Sequence, residues 1–467
     1  MSHTAATYPP ALTAPAAPAA PAWQADTIAL HAGYNGLQHQ RSAAVPIYQT
    51  TSYLFEDAQQ GAELFDLVQE GHVYSRTGNP TQAVLEQRIA QLEGGTAAVA
   101  VASGMAAIDM ALATVAQAGD HVVVASALYG GSHNLITQVL QGRGVRSTLI
   151  ARGTADVPAA VHAAITDRTK AVFLESIGNP SGDIADLQAI ADVAHAQGVA
   201  VVVDNTCATP LLLRPFEHGA DVVVHSATKY IGGHGTVMGG LIVDSGRFDW
   251  QAHAERYPQL TRPDPAFHRI VFTERYPQAP FVARARTVLL RNGGATLPAL
   301  SSFLLLQGLE TMALRMERIS RNTQAVLAFL QAQPQVARIR HVAHPSHPDY
   351  AVAQRYLRKG LVPGLLSFEL HGGRTAAQQF YDALTLFQRL VNIGDSKSLA
   401  AIPAETTHHL LSDEDLARAG IAPGLVRLSI GIEHPEDLRN DLRQALQHIT
   451  TAPVAPISEN TRIQETV

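Results

Sequence analysis

Two side chains of opposite charge follow two apolar runs in the middle of the chain. Asp204 follows residues 200–203, and Lys229 comes shortly after residues 222–224. Each run is short and apolar enough to form a buried strand of a parallel sheet. Ligands bind at the carboxyl ends of the strands in open α/β sheets. A carboxylate and an amine are therefore predicted at the same edge of one sheet.

This pair of charges has a specific chemical use. A lysine among small and hydroxylated residues can form a Schiff base with an aldehyde. A nearby carboxylate can hold a protonated pyridine nitrogen, so that the ring accepts electrons from a substrate carbanion. Lys229 and Asp204 together describe a site for pyridoxal 5'-phosphate. Their spacing alone favours two charged residues that end strands at the surface, since such charges are common.

The residues around the pair resemble a known family. The segment DNTCATPLLLRPFEHGADVVVHSATKYIGGHGT, residues 204–236, is similar to the γ-family of pyridoxal phosphate enzymes, which act on cysteine, methionine and homoserine derivatives. The lysine motif SATKYIGGHG is the most specific part. The resemblance extends from about Asp26 to about Thr450. It implies an α/β protein of fold type I, with a mostly parallel seven-stranded large domain between helices and a smaller α/β C-terminal domain.

The resemblance also implies where the cofactor is held. Tyr74 and Arg76, in the motif YSRTGNPT, would bind the cofactor phosphate of a partner chain, which suits the forked donors of arginine. This implies a homo-oligomer, a tetramer built as a dimer of dimers. The other implied cofactor-binding residues are Gly104, Met105, Tyr129, Asn179, Asp204, Thr206, Ser226, Thr228 and Lys229.

Individual roles follow from the same resemblance. Tyr129 would stack on the pyridine ring and take part in proton transfer, so that it is catalytic together with Lys229 and Asp204. Asn179 would donate a hydrogen bond to the phenolic oxygen, whereas Glu175 is interpreted as a residue that orders its loop. Arg427 and Ser398 would bind the α-carboxylate of an amino-acid substrate, for which a bidentate arginine is well suited.

Local patterns predict the elements that position these residues. Asn79 and Pro80 open a helix as its cap and first residue. The stretch AAVAVASGMAAIDMALATV predicts a strand, a small-residue turn and a helix, and amides at such a turn can bind phosphate through Gly104 and Met105. One long helix is predicted around residues 302–330, because Leu305, Leu309, Met312, Met316 and Ile319 recur at helical spacing.

The chain divides into five predicted parts. They are a disordered Ala/Pro-rich tail at 1–23, an irregular arm at 24–80 that contacts a partner subunit, a cofactor-binding domain at 81–298, a C-terminal domain at 299–454 and a flexible tail at 455–467. Residues 250–291 resemble an insertion of one branch of the family. His341, His344 and His347 are interpreted as part of a surface loop rather than a metal site, since no carboxylate or cysteine completes a convincing ligand set with them.

Composition limits the functional classes. Of 467 residues, 46% are hydrophobic and 16% are charged, as expected of a globular α/β protein. The net charge of −6 gives no basic footprint for nucleic acid. Cys207 is the sole cysteine, so no disulfide can form within a chain, and a reducing cytoplasm is predicted. No apolar run reaches the roughly 20 residues that span a bilayer, so no membrane association is expected.

The insertion and the phrases ESIGNP and IGDSKSL favour one branch of the family. That branch exchanges the acetate of O-acetylhomoserine for sulfide or methanethiol, giving homocysteine or methionine. Met105 and Ile402 depart from the branch pattern. An O-succinylhomoserine sulfhydrylase or a methionine or cystathionine γ-lyase therefore stays open within the same class, and a non-catalytic relative that binds a ligand stays open in a different class.

Overall fold

The computed structural model describes residues 23–449, except 70, 127, 152, 407, 408, 410–413, 415 and 417–419. The predicted tails at 1–23 and 455–467 lie outside these residues, apart from Trp23. None of the described helices combines the length and the hydrophobicity that a bilayer crossing requires.

Helices and strands alternate through most of the chain. The strands are β1 (Ala97–Val101), β2 (His121–Val124), β3 (Arg146–Leu149), β4 (Thr169–Glu175), β5 (Ala200–Asp204), β6 (Val222–Ser226), β7 (Gly240–Asp244), β8 (Val336–Arg340), β9 (Leu365–Leu370), β10 (Gln388–Arg389), β11 (Leu399–Ala401) and β12 (Leu425–Ser429). The α-helices among the described residues are α1 (Ala25–His31), α2 (Ala58–Phe65), α3 (Pro80–Glu93), α4 (Gly104–Val115), α5 (Gly130–Asn134), α6 (Val157–Ala164), α7 (Leu187–His195), α8 (Thr209–Leu212), α9 (Pro258–Thr261), α10 (Phe272–Arg275), α11 (Pro280–Arg284), α12 (Arg291–Gly293), α13 (Ala299–Glu310), α14 (Met312–Gln331), α15 (Tyr350–Tyr356), α16 (Gly373–Ala383) and α17 (Pro435–Gln447).

The large domain is built on a seven-stranded sheet in the order β1-β7-β6-β5-β4-β2-β3. β7 runs antiparallel to both of its neighbours, and the other pairs are parallel. The central strands are runs of valine and alanine that are buried on both faces, as expected where helices cover a parallel sheet. The prediction of a mostly parallel seven-stranded sheet is confirmed.

The C-terminal domain contains a separate five-stranded sheet in the order β10-β11-β12-β9-β8, in which only β10 and β11 are parallel among the described strands. Val426 and Leu428 of β12 pack with Phe380 of α16 and Leu438 of α17. This sheet carries Arg427 at its centre and so sets the position of that side chain relative to the large domain.

The predicted long helix is wrong in one respect, because it is broken at Thr311 into α13 and α14. In a continuous helix the carbonyl oxygen of Gly308 would accept from the amide of Met312. Here it accepts instead from the amide of Thr311 at 3.3 Å and from the Arg315 guanidinium at 2.6 Å. The five apolar side chains that predicted the helix are all buried, and they pack against the core of the large domain.

The arm was predicted to be irregular, and this is wrong for two segments, which form α1 and α2. The side chain of Asp57 caps α2 by accepting from the amide of Gln60 at 2.8 Å. This N-cap was a helix-start signal in the sequence that was not used. Large apolar side chains are exposed along the arm, including Leu37, Val68 and Leu54, which is 100% exposed. An exposed apolar surface of this kind is typical of an interface.

Candidate active site

Lys229 and Asp204 lie at the same edge of the large sheet. Asp204 is the last residue of β5, and the adjacent parallel strand β6 ends at Ser226, three residues before Lys229. Both side chains line one cavity of about 250 Å³. The other predicted site residues that line it are Gly104, Met105, Tyr129, Asn179, Thr206, Ser226 and Thr228.

Lys229 is held as a buried amine. Its Nζ donates to Oδ1 of Asn392 at 2.6 Å. Burial lowers the pKa of Lys229, and the nearby Arg427 cation lowers it further. A lower pKa leaves more of the amine unprotonated near neutral pH, which is the form that attacks an aldehyde.

Asp204 and Glu175 form a pair of carboxyl groups at the strand ends. The two residues are aligned in the β4–β5 register. Burial raises the pKa of Asp204, whereas hydrogen bonds from Thr206 and the charge of His225 act to lower it. Burial raises the pKa of Glu175 well above its ordinary value, and the neighbouring Asp204 charge raises it further. The side chain of Glu175 accepts from the amide of Tyr129 at 2.6 Å, as expected of a residue that orders this loop.

The turn between β1 and α4 offers a place for a phosphate. Ser103 caps α4 by accepting from the amide of Ala106 at 3.1 Å, and the amides of Gly104 and Met105 have no partner within the helix because they belong to its first turn. A Cβ at position 104 would lie 2.5 Å from Cβ of Ser226, so only glycine lets the turn approach the lysine loop this closely. The helix N-terminus, lined by hydroxyl groups, fits an anion.

Arg427, which the family resemblance predicts as a ligand of the substrate carboxylate, is 3% exposed and lies next to Asn179 of the cavity. One guanidinium nitrogen donates to Oδ1 of Asn179 at 3.2 Å, and another donates to the carbonyl oxygen of Asn392 at 3.1 Å. Burial of β12 between two neighbours decides this orientation, and the unaided sequence pattern does not reveal it.

Asn392 is the site residue that the sequence reasoning missed. It links Lys229 to Arg427 through its side chain and its carbonyl oxygen, as described above. Its neighbours Val391 and Ile393 both line the cavity. The signal available in the sequence was a polar amide between two apolar residues, six residues before Ser398.

Ser398 is not brought to the cavity. Its hydroxyl donates to Oε2 of Glu433 at 2.8 Å and accepts from the amide of Gly431 at 2.8 Å. The side chain is fully buried. These contacts fasten the loop before β11 to the segment after β12, so the hydroxyl already has a structural use.

Tyr74 and Arg76 lie in a second cavity of about 380 Å³, away from Lys229. The guanidinium of Arg76 donates to the carbonyl oxygen of Arg291, and the carbonyl oxygen of Arg76 accepts from Thr296 at 3.0 Å. Both side chains are exposed in the single chain. The structure therefore does not bring them into the site of their own chain.

The loop with three histidines differs from the sequence interpretation, because carboxylates do lie close to it. His347 lies with Asp183 and Asp349, and their ligand-type atoms are all within 4.8 Å of one another. Asp183 accepts from Ser181 at 2.6 Å, and the amide of Asp349 donates to Nδ1 of His347 at 3.2 Å. The amide of Ile184 donates to Oδ2 of Asp349 at 3.2 Å, and this hydrogen bond joins the loop after β4 to the C-terminal domain.

The residues of the main cavity fit pyridoxal phosphate in three separate respects. Lys229 can form a Schiff base with the aldehyde, Asp204 can bind the protonated ring nitrogen, and the amides of the first turn of α4 can bind the phosphate.

Comparison with known proteins gives a consistent result. A family model described as Cys/Met metabolism PLP-dependent enzyme matches residues 26–447. The chain is 45% identical over 423 residues to the homocysteine synthase of Schizosaccharomyces pombe, which covers 90% of this chain and 98% of that protein. It is also 45% identical over 422 residues to O-acetyl-L-homoserine sulfhydrylase 1 of Thermus thermophilus, with 90% and 99% covered.

A solved structure gives the same picture. A protein of Campylobacter jejuni that has been assigned as an O-acetylhomoserine (thiol)-lyase carries a pyridoxyl-lysine. It is 40% identical to this chain and superposes with a TM-score of 0.87 over 91% of this chain and 100% of that protein.

Proposed function

We propose that this chain, which belongs to the Cys/Met metabolism family of PLP-dependent enzymes, replaces the acetate of O-acetyl-L-homoserine with sulfide to give L-homocysteine and acetate. Family membership confirms the resemblance predicted from the lysine motif and, with it, pyridoxal phosphate as the cofactor. The observation that carries the proposal is the single cavity lined by Lys229, Asp204 and the first turn of α4. It is supported by the 45% identity to the O-acetyl-L-homoserine sulfhydrylase of Thermus thermophilus.

The side chains of the cavity divide the chemistry among them. Bound pyridoxal phosphate supplies an electron sink for charge that develops at the substrate α-carbon. Lys229 would hold the cofactor through its aldehyde group and, as a free amine, would move protons at Cα and Cβ of the substrate. The C–O bond at Cγ would break as Cβ loses its proton and acetate leaves; hydrosulfide would then form the new C–S bond at Cγ, and a proton would return to Cβ. Asp204 keeps the proton on the ring nitrogen.

Arg427 and Asn392 are suited to the α-carboxylate of the substrate. The guanidinium is buried and held on Asn179 and Asn392, so it is oriented before a substrate arrives. A substrate carboxylate would accept from the guanidinium and satisfy the arginine charge. This assignment includes Asn392 in place of Ser398, whose hydroxyl is already bonded to Glu433.

The cavity supports an acetyl rather than a succinyl ester. A succinyl ester carries a second carboxylate, which needs a cation or several donors when it is buried. Among the described residues that line the cavity, Lys229 is the only lysine, arginine or histidine. Met238 and Val391 form an apolar rim that suits a methyl group.

We further propose that the active enzyme is a homo-oligomer in which each site is completed by a partner chain. Tyr74 and Arg76 line a different cavity from Lys229 of their own chain, and the arm that carries them exposes large apolar side chains. A tetramer built as a dimer of dimers is the form proposed. The cytoplasm is the proposed compartment, because Cys207 is the only cysteine and calls for no disulfide chemistry.

Steady-state assays of the reconstituted enzyme test this function. Acetyl- and succinyl-homoserine are each paired with sulfide and with methanethiol, and products are separated by chromatography. We expect O-acetyl-L-homoserine with sulfide to give the highest kcat/KM. A preference for the succinyl ester, or rapid release of a keto acid without any thiol, would replace the proposal with the succinyl or γ-lyase alternative.

A further inference from the structure

Glu175 occupies a place in the cavity that the reaction described above does not use. It is the last residue of β4, it is 5% exposed, and it pairs in register with Asp204 on β5. Two carboxyl groups therefore stand side by side on adjacent strands at the edge of the sheet where the cofactor binds.

The Glu175 carboxyl group holds two loops of the site. Its Oε1 accepts from the amide of Tyr129 at 2.6 Å, and the amide of Asn179 also donates to the Glu175 carboxyl group. The backbone amide of Glu175 donates to Ser126 at 2.9 Å, which fixes the start of the Tyr129 loop. Tyr129, proposed to stack on the ring, and Asn179, proposed to bind its phenolic oxygen, are thus both bonded to the Glu175 side chain.

The negative charge of the carboxyl pair belongs on Asp204. Two buried neighbouring carboxyl groups cannot both ionise without a large cost. Asp204 accepts from the amide of Thr206 at 2.9 Å, and His225 favours its anion. Burial raises the pKa of both carboxyl groups. For Glu175, burial and the Asp204 charge outweigh the amides of Tyr129 and Asn179, which act to lower its pKa, and hold it well above its ordinary value. The other titratable or charged groups at this end of the cavity are Tyr129, Cys207, Lys229 and Arg427.

We propose that the protonated carboxyl group of Glu175 positions Tyr129 and Asn179 around the cofactor and leaves the single negative charge of the pair on Asp204. Glu175 acts through its neighbours and is a positioning residue. The inference rests on cofactor binding as proposed above, but it does not depend on which homoserine ester is the substrate.

Two variants separate geometry from charge. Glu175→Gln keeps an acceptor oxygen for the Tyr129 amide and is permanently neutral, whereas Glu175→Leu removes the acceptor. In the cofactor-loaded enzyme we expect kcat/KM to fall by no more than about tenfold for E175Q and by at least about a hundredfold for E175L, with most of the loss in kcat. Equal losses in the two variants, or full activity in E175L, would overturn the positioning role.

The pH dependence of the visible absorption band tests the charge. If Glu175 is already neutral, E175Q moves the midpoint of that titration by less than about 0.3 pH units. Loss of a buried anion next to Asp204 would move it by about one unit or more. A midpoint shift of about one pH unit or more in E175Q would show that Glu175 is ionised and would contradict the proposal.

An infrared difference spectrum provides a measurement that needs neither turnover nor a stable E175L variant. The cofactor-loaded wild type minus E175Q should show the carbonyl stretch of a protonated carboxylic acid at neutral pH. Carboxylate bands alone would overturn the assignment. Failure of O-acetylhomoserine turnover would reject the proposed substrate but leave both spectroscopic results to decide on Glu175.

Discussion

At the scale of single residues, the free lysine sets how fast the enzyme captures its cofactor. Burial and the Arg427 charge lower the pKa of Lys229, so the amine becomes unprotonated at a lower pH than an ordinary lysine. The rate at which the cofactor-free enzyme develops its visible band should rise with pH and level off below the ordinary lysine pKa. Stopped-flow absorbance between pH 6 and 10 checks this, with Lys229→Ala as the control that develops no band and shows no turnover. A band in K229A would place the cofactor on another lysine.

Replacement of Asp204 by asparagine separates binding from chemistry. The neutral amide cannot stabilise a protonated ring nitrogen, a charge-assisted hydrogen bond worth roughly 1.5–3 kcal/mol. We expect D204N to retain the cofactor after gel filtration but to lose roughly ten- to a hundredfold in kcat. Near-normal kcat in this variant would exclude Asp204 as the partner of the ring nitrogen.

The residues of the cavity illustrate what the sequence can reveal. Lys229 and Asp204 could be predicted because polar residues directly follow apolar strands, a local pattern with a definite spatial meaning. Asn392 and the burial of Arg427 could not, because they depend on how the two domains meet. Ser398 lies only six residues from Asn392, but Glu433 and Gly431, both remote in sequence, take up its hydroxyl. Contacts of this range are not encoded in a short motif.

At the scale of elements, Arg315 of α14 holds the segment that follows the lysine. Its guanidinium donates to the carbonyl oxygens of Tyr230 at 2.7 Å, Ile231 at 3.1 Å and Gly308 at 2.6 Å. Arg315→Leu removes the guanidinium donors from these three carbonyl oxygens, and we expect a loss of about 3 kcal/mol in the free energy of unfolding. Cofactor affinity should fall as well, since the lysine loop is loosened.

Arg321→Leu on the same helix is the matched control for this prediction. Arg321 is 77% exposed and has only a 3.9 Å ion pair with Glu317. Its replacement should change stability by no more than about 0.5 kcal/mol and leave cofactor affinity unaltered. Urea denaturation and cofactor titration of both variants make the comparison, and equal stability of R315L and R321L would refute the role of Arg315.

Elements were predicted well where a local signal marks them. Strand β1, the turn at Gly104 and helix α4 follow from composition, and Asn79 caps α3 as expected by accepting from the amide of Thr81 at 3.0 Å. The break at Thr311 was not predictable, because it depends on the Arg315 guanidinium, which is committed to carbonyl oxygens more than 80 residues earlier in the chain. The apolar periodicity continues through the break unchanged.

At the scale of the whole molecule, the positions of Tyr74 and Arg76 predict complementation between chains. If they serve a partner's site, a mixed dimer of R76A and K229A chains has one site with both defects and one with neither. Random mixing should restore about a quarter of wild-type activity, assuming two-fold pairing and free exchange. Differently tagged chains allow the mixed species to be purified and assayed. No recovery in verified mixed dimers would assign Arg76 to its own chain's site.

The break at Thr311 and the burial on either side of it also bear on how the protein is made. Leu305, Leu309, Met312, Met316 and Ile319 complete the core of the large domain, although they come after all seven strands of its sheet. Helices α3, α7 and α8 cover part of the same apolar face earlier in the chain, so a chain emerging from the ribosome holds the sheet with this face only partly covered until about residue 320 has left the exit tunnel. The nascent large domain passes through an aggregation-prone stage that closes only when α14 arrives, and the cofactor lysine becomes fixed in the same event.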